Sequence, residues 1–186
     1  LSTFLTFPDL EENLIVVDSV SKRFSACGAR VGALISRNPE FIGQAMKLCQ
    51  GRLCSATLDQ LGAAALYSVE PDYFNATRDE YRRRRNACVE GLHKIPGVVC
   101  EEPKGAFYLM VKLPVDDADR FQTWLLEEFE DHGETLMFAP GEGFYATPGK
   151  GKDEIRIAYV LNEADIRRSM ELLGIAIARY RKEKMA

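Results

Sequence analysis

The sequence predicts an α/β chain in two pieces, a part built on a parallel sheet followed by a small α+β layer. Three observations predict it. Leu14-Ile15-Val16-Val17 is a short continuous apolar run, the pattern of a strand buried on both faces of a parallel sheet. Strand and helix signals then alternate up to about residue 70. From about residue 95 the texture changes to short alternating strands with amphipathic helices between them, as when helices cover one face of a small sheet. A long charged helix over about 71–94 links the two pieces.

The elements follow in order. Residues 18–28 form the loop after the first strand, and 31–36 the next strand. Asn38 caps a helix that Pro39 opens, with Glu40 in its first turn. Phe41, Ile42, Ala45, Met46 and Cys49 keep helical spacing, and Gly51 closes it. A Leu- and Ala-rich helix covers 58–69. Within the long helix stand Arg82, Arg83, Arg84 and Arg85. Four consecutive helical residues point in four directions, so they make no single basic face. With acidic neighbours and no aromatic series, they read as a solvated, ion-paired surface rather than a nucleic-acid patch.

Ile95-Pro96-Gly97 is helix-stop chemistry. A short strand covers 98–100. Another covers 106–113, where Phe107, Leu109 and Val111 alternate with Tyr108, Met110 and Lys112. Asp116 or Asp117 caps a helix over 118–132 with Phe121, Trp124, Leu125, Glu128 and Phe129 as its inner side and margin. Strands cover 136–139 and 155–160. Asn162 caps the last helix, with Asp165 at its third position and Ile166, Met170, Leu173, Ile177 and Tyr180 at core spacing.

Composition narrows the class. Hydrophobic residues make up 46% and charged residues 28%, the balance of a soluble globular protein. The net charge of −4 lacks the basic excess of a nucleic-acid partner. No apolar run approaches the roughly 20 residues that span a bilayer, and residues 1–5 lack a signal peptide's basic and apolar regions. The cysteines are Cys27, Cys49, Cys54, Cys88 and Cys100, an odd number with no C-x-x-C. They predict free thiols in a reducing cytoplasm, with neither a disulfide framework nor a metal site. The chain opens without Met just ahead of an interior strand, as a fragment would.

Chemistry concentrates in the loop after the first strand. Ser19 and Ser21 offer hydroxyls, Arg30 a planar fork suited to phosphate, and Gly28 and Gly32 room for the backbone to pass close to a ligand. A lysine, Lys22, stands among them. An amine beside a phosphate clamp can condense with a phosphorylated aldehyde such as pyridoxal phosphate.

The spacing Ser19-x-Ser21-Lys22-x-Phe24-x-x-x-Gly28-x-Arg30-x-Gly32 resembles the cofactor-attachment motif of the class I and II aminotransferases, the fold-type I pyridoxal-phosphate enzymes. Pro103-Lys104-Gly105-Ala106-Phe107-Tyr108 is similar to a strand entry of that family. Pro140-Gly141-Glu142-Gly143-Phe144, followed by Ile155-Arg156-Ile157, is similar to a run near its C-terminus. The motifs fall in family order and lie closest in flavour to the aspartate aminotransferase-like members. On this resemblance residues 1–70 are a C-terminal remnant of the parallel-sheet, cofactor-binding large domain. Residues 95–186 are the small α+β C-terminal domain.

The resemblance implies roles residue by residue. Lys22 holds the cofactor and moves the proton between substrate and cofactor. Ser19 and Arg30 bind the phosphate, with Ser21 beside them, and Arg156 takes the substrate α-carboxylate. The other reading of Arg156 is a strand arginine in a salt bridge. Arg52 is not assigned, and Tyr67, Tyr73, Tyr108, His93 and His132 read as structural. The substrates implied are an α-amino acid and a 2-oxo acid, and the assembly a homodimer. The family's partner for the pyridine nitrogen, its ring-stacking aromatic and its glycine-rich helix start precede the lysine strand. The 21 residues before Lys22 match none of them, so this chain alone is expected to be inactive. Other readings are a decarboxylase or lyase on the same scaffold, a non-catalytic binding or dimerising module, and a regulator with a fused aminotransferase-like domain.

Overall fold

The computed structural model describes residues 4–185. Residues 1–3 of the opening segment, read above for leader character, lie outside them. The chain forms two compact units, one up to Pro71 and one from Asp72 onward.

In the first unit, β1 (Ile15–Ser19) pairs with β2 (Gly32–Ser36). The pairing is antiparallel, in register from Ile15 opposite Ser36 to Ser19 opposite Gly32. This corrects the expected direction and burial of the 14–17 strand, since Val17 is 79% exposed. An apolar run specifies extended structure but not the direction of its partner. Here the connection through residues 20–31 turns the chain straight back on itself. That connection holds one helical turn, α1 (Val20–Arg23), and a tighter turn at Cys27–Ala29.

Helix α2 (Pro39–Arg52) starts where expected, its Asn38 side chain accepting from the Phe41 N–H at 2.9 Å. Gly51 does not end it. The break falls one residue after Arg52, where Leu53 takes φ +67°. Helix α3 (Thr57–Leu66) completes the unit. Among the described residues its buried hydrophobics are Val20, Phe24 and Ala63, a small core.

The second unit carries the main core. Helix α4 (Pro71–Leu92) is followed by β3 (Val99–Cys100), β4 (Tyr108–Lys112), α5 (Ala118–Glu127), β5 (Ala139–Pro140), β6 (Glu154–Ala158) and α6 (Glu163–Lys184). The strands form an antiparallel sheet in the order β3-β4-β6-β5. Period-2 alternation divides its faces. Leu109, Val111 and Ile155 are buried in the same core as Leu92 of α4, Phe121 and Leu125 of α5 and Leu173 and Tyr180 of α6. Each such side chain stabilises the fold by roughly 1.5–3 kcal/mol relative to exposure. Met110 and Arg156 are partners across β4 and β6 and belong to the opposite face.

Helix α5 ends at Glu127, short of the expected 132. The Phe129 N–H still reaches the Trp124 carbonyl at 3.2 Å, and the Thr135 hydroxyl satisfies the Leu125 carbonyl at 2.8 Å. The arginine run pairs as a charged surface should, with Arg82 on Asp79, Arg83 and Arg84 on Glu80, and Arg85 on Glu102. Among the described residues no helix is long and apolar enough to cross a membrane.

Candidate functional site

The first unit positions its candidate residues with the turn between β1 and β2. Ser19 ends β1 and caps α1, its Oγ accepting from the Ser21 N–H at 3.1 Å. The two hydroxyl oxygens lie 2.9 Å apart, and Ser19 Oγ is 3.3 Å from the Val31 carbonyl. That carbonyl also accepts from the Val20 N–H at 3.3 Å. Ser19, Ser21 and the start of β2 are thus joined in one network. Lys22 follows within α1 on an exposed position.

Arg30 directly precedes Val31 and enters β2 with φ +55°, a left-handed conformation that strains a residue with a Cβ. Its Nη1 donates to the Cys27 carbonyl at 2.9 Å, and its own carbonyl accepts from the Ser55 hydroxyl at 2.9 Å. Both ends of the residue are therefore fixed, with guanidinium donors to spare. Gly32 sits where the strands close, and a Cβ there would stand 2.9 Å from the Asp18 carbonyl. Only glycine lets β2 approach β1 so near the loop. Asp18 is also gripped by Arg23 at 2.8 Å, and Phe24 packs edge-on against Tyr67 at 5.2 Å. The donor set of two hydroxyls, a guanidinium and an amine on one short turn fits a phosphate-bearing aldehyde.

Arg156 belongs to the second unit, where the structure gives it a setting that sequence reasoning missed. Its guanidinium carbon stands 4.5 Å from the Tyr108 ring centroid and 4.4 Å from that of Phe144. Among the described residues nothing forms an ion pair or hydrogen bond with its guanidinium, so the salt-bridged strand arginine is not what is seen. Tyr108, read from the sequence as structural, is two positions from Met110, the cross-strand partner of Arg156. That diagonal is within reach of long and aromatic side chains, but it becomes visible only once the register is known. Phe144 lies inside the motif run Pro140–Phe144, but twelve residues from Arg156 nothing in the sequence connects its ring to the arginine.

The loop before Arg156 is held tightly. The Gly141 N–H donates to the Glu154 carbonyl at 2.7 Å, and a Cβ on Gly141 would stand 2.7 Å from the same oxygen. The Tyr145 hydroxyl donates to the Glu154 carboxylate. That bond, with some burial, pushes the Tyr145 pKa up. Gly151 has φ +80°, and a Cβ there would meet the Tyr145 ring at 2.5 Å. Arg52 lies exposed in the last turn of α2. His93, directly after the end of α4, and His132, in a turn beyond α5, are both exposed.

Comparison with known proteins gives the family. A family described as "Aminotransferase class I and II" matches residues 4–173. An aspartate aminotransferase of Rhizobium meliloti is 27% identical over 92% of this chain and 42% of its own length. One from Streptomyces avermitilis is 32% identical over 86% of this chain and 39% of its own. The chain thus spans about two fifths of the curated relatives it matches. Among solved structures, aspartate aminotransferase from Rhizobium meliloti superposes with a TM-score of 0.75 at 26% identity, covering 92% of this chain and 44% of that one. LysN, the α-aminoadipate aminotransferase of Thermus thermophilus complexed with N-(5'-phosphopyridoxyl)-L-leucine, gives 0.75 at 25% identity, covering 89% and 42%. The family match covers nearly the whole length, and the chain belongs to the class I and II aminotransferases, as a C-terminal portion of their fold.

Proposed function

We propose that the complete protein carrying this chain transfers an amino group between an α-amino acid and a 2-oxo acid, using pyridoxal phosphate. The observation that supports this most is the network of Ser19, Ser21 and the β2 start beside Lys22, inside the family match. Ser19 and Arg30, with Ser21, would hold the cofactor phosphate, and Lys22 would bind its aldehyde carbon. The bound cofactor supplies an electron sink for the substrate α-carbon. Lys22 would move the proton between the substrate α-carbon and the cofactor, because an amine beside them is a base within reach. Arg156 orients the substrate through its α-carboxylate, a planar two-point contact.

Residues 1–70 belong to the cofactor-binding large domain and 95–186 to the small domain, with 71–94 as the linking helix. The complete protein works as a cytoplasmic homodimer. This chain alone is inactive, since nothing before Lys22 matches the family's partners for the cofactor ring.

An amino-acid panel assayed on the complete protein tests the reaction class. Keto-acid formation coupled to amination of a 2-oxo acid supports transamination. Release of CO₂ or ammonia instead places the reaction among decarboxylases or lyases. Adding the cofactor to the 186-residue chain tests the inactivity. A saturable absorption change with turnover would reject it.

A further inference from the structure

We propose that Tyr108 and Phe144 are positioning residues that hold the Arg156 guanidinium plane for a carboxylate. This rests on the reading of Arg156 given above. Other arginines of the second unit, among them Arg84, Arg85, Arg120, Arg167, Arg168 and Arg179, are each held by a carboxylate. Arg156 instead has two aromatic rings at 4.5 and 4.4 Å. A cation over a ring presents its face to the π-system. The guanidinium donors lie in its plane, so ring contacts orient the group without consuming an N–H. A carboxylate in that place would fix Arg156 equally well but occupy the donors.

Both rings are themselves fixed. Tyr108 sits in β4 opposite Ala158, with its centroid 4.6 Å from that of Phe107, which in turn stacks on Tyr81 at 5.8 Å. Phe144 ends a turn at Glu142–Phe144. Gly141 is pinned to the Glu154 carbonyl before that turn, and Tyr145 to the Glu154 carboxylate after it. Glu154 lies two residues from Arg156 on the same strand, so one strand carries the arginine and anchors the ring that orients it.

The test uses the 186-residue chain and the complete protein. In the chain, nitrogen-15 NMR reads rotation of the Arg156 guanidinium, its signal identified by its loss in Arg156→Lys. Slow rotation is expected in the parent and in Tyr108→Phe, and fast rotation in Tyr108→Leu and Phe144→Leu. Phe144 is 50% exposed, so its replacement leaves the core intact. In the complete protein, each leucine variant is expected to raise KM for the amino acid about three- to tenfold, with kcat nearly unchanged. Tyr108→Phe should keep the parent KM. Slow rotation persisting in both leucine variants overturns the proposal, as does freed rotation with an unchanged KM. If the complete parent protein turns over no amino acid, the function proposed above falls, and the rotation measurement alone decides this inference.

Discussion

At position 156 the charge and the plane are separable. Lysine keeps the charge but presents a single ammonium point in place of the fork. Arg156→Lys in the complete protein should raise KM for the amino acid roughly tenfold or more, while the circular dichroism of the chain stays unchanged. The cysteines separate by environment as clearly. Cys27, Cys49 and Cys54 are exposed, and Cys88 is buried with its sulfur 3.8 Å from that of Met170. Burial pushes the Cys88 thiol up to about 12. A thiol reagent should therefore modify the three exposed cysteines in the native chain and Cys88 only after unfolding, as thiol counting by mass spectrometry would show. The sign of the pH effect follows. The raised pKa contributes stability that is complete below the unfolded thiol value near 8.5 and is lost as pH rises toward 12. From about pH 9 upward, the parent's unfolding free energy should fall more steeply than that of Cys88→Ala, by about 1 kcal/mol per unit. Parallel curves would contradict the assignment of that burial.

Among the elements, those set by neighbouring residues were legible in the sequence. Asn38 and Asn162 cap the helices predicted for them, through the Phe41 and Asp165 N–H groups. Asp117, one of two caps considered, accepts from the Asp119 and Arg120 N–H groups. The strand register was not legible, because it depends on which segments meet. That is why β1 was read as buried and parallel, and why the ring of Tyr108 was not connected to Arg156. Ser19, Ser21, Lys22 and Arg30 could be grouped from the sequence because they sit close together in the chain, whereas the Arg156 setting joins three separate segments. The contact of α4 with α6 was likewise hidden. A Cβ at Gly91 would stand 2.5 Å from the Met170 Cβ. Alanine gains up to about 1 kcal/mol of helix propensity there. The clash should win, since Met170 Cβ is tied to its own backbone and overpacking costs about 1–3 kcal/mol. Urea unfolding of Gly91→Ala should show a net loss of stability, and a gain would contradict this packing.

For the whole molecule, the core is unevenly shared. The second unit buries a continuous cluster from Ala87 to Tyr180, while the described residues of the first bury Val20, Phe24 and Ala63. Expressed alone, residues 72–186 should keep a cooperative unfolding transition, and residues 1–71 should not, as thermal circular dichroism would read. The exposed Val17, Leu48, Leu53 and Leu58 of the first unit agree with a chain that spans two fifths of its relatives. The function proposed here turns on Lys22 as the residue that carries the cofactor in the complete protein. Loading that protein with pyridoxal phosphate, fixing the linkage with borohydride and mapping the modified peptide by mass spectrometry tests this most directly. The expected result is the phosphopyridoxyl mass on Lys22 and its loss in Lys22→Ala. The same mass on another lysine, or on none, would contradict it.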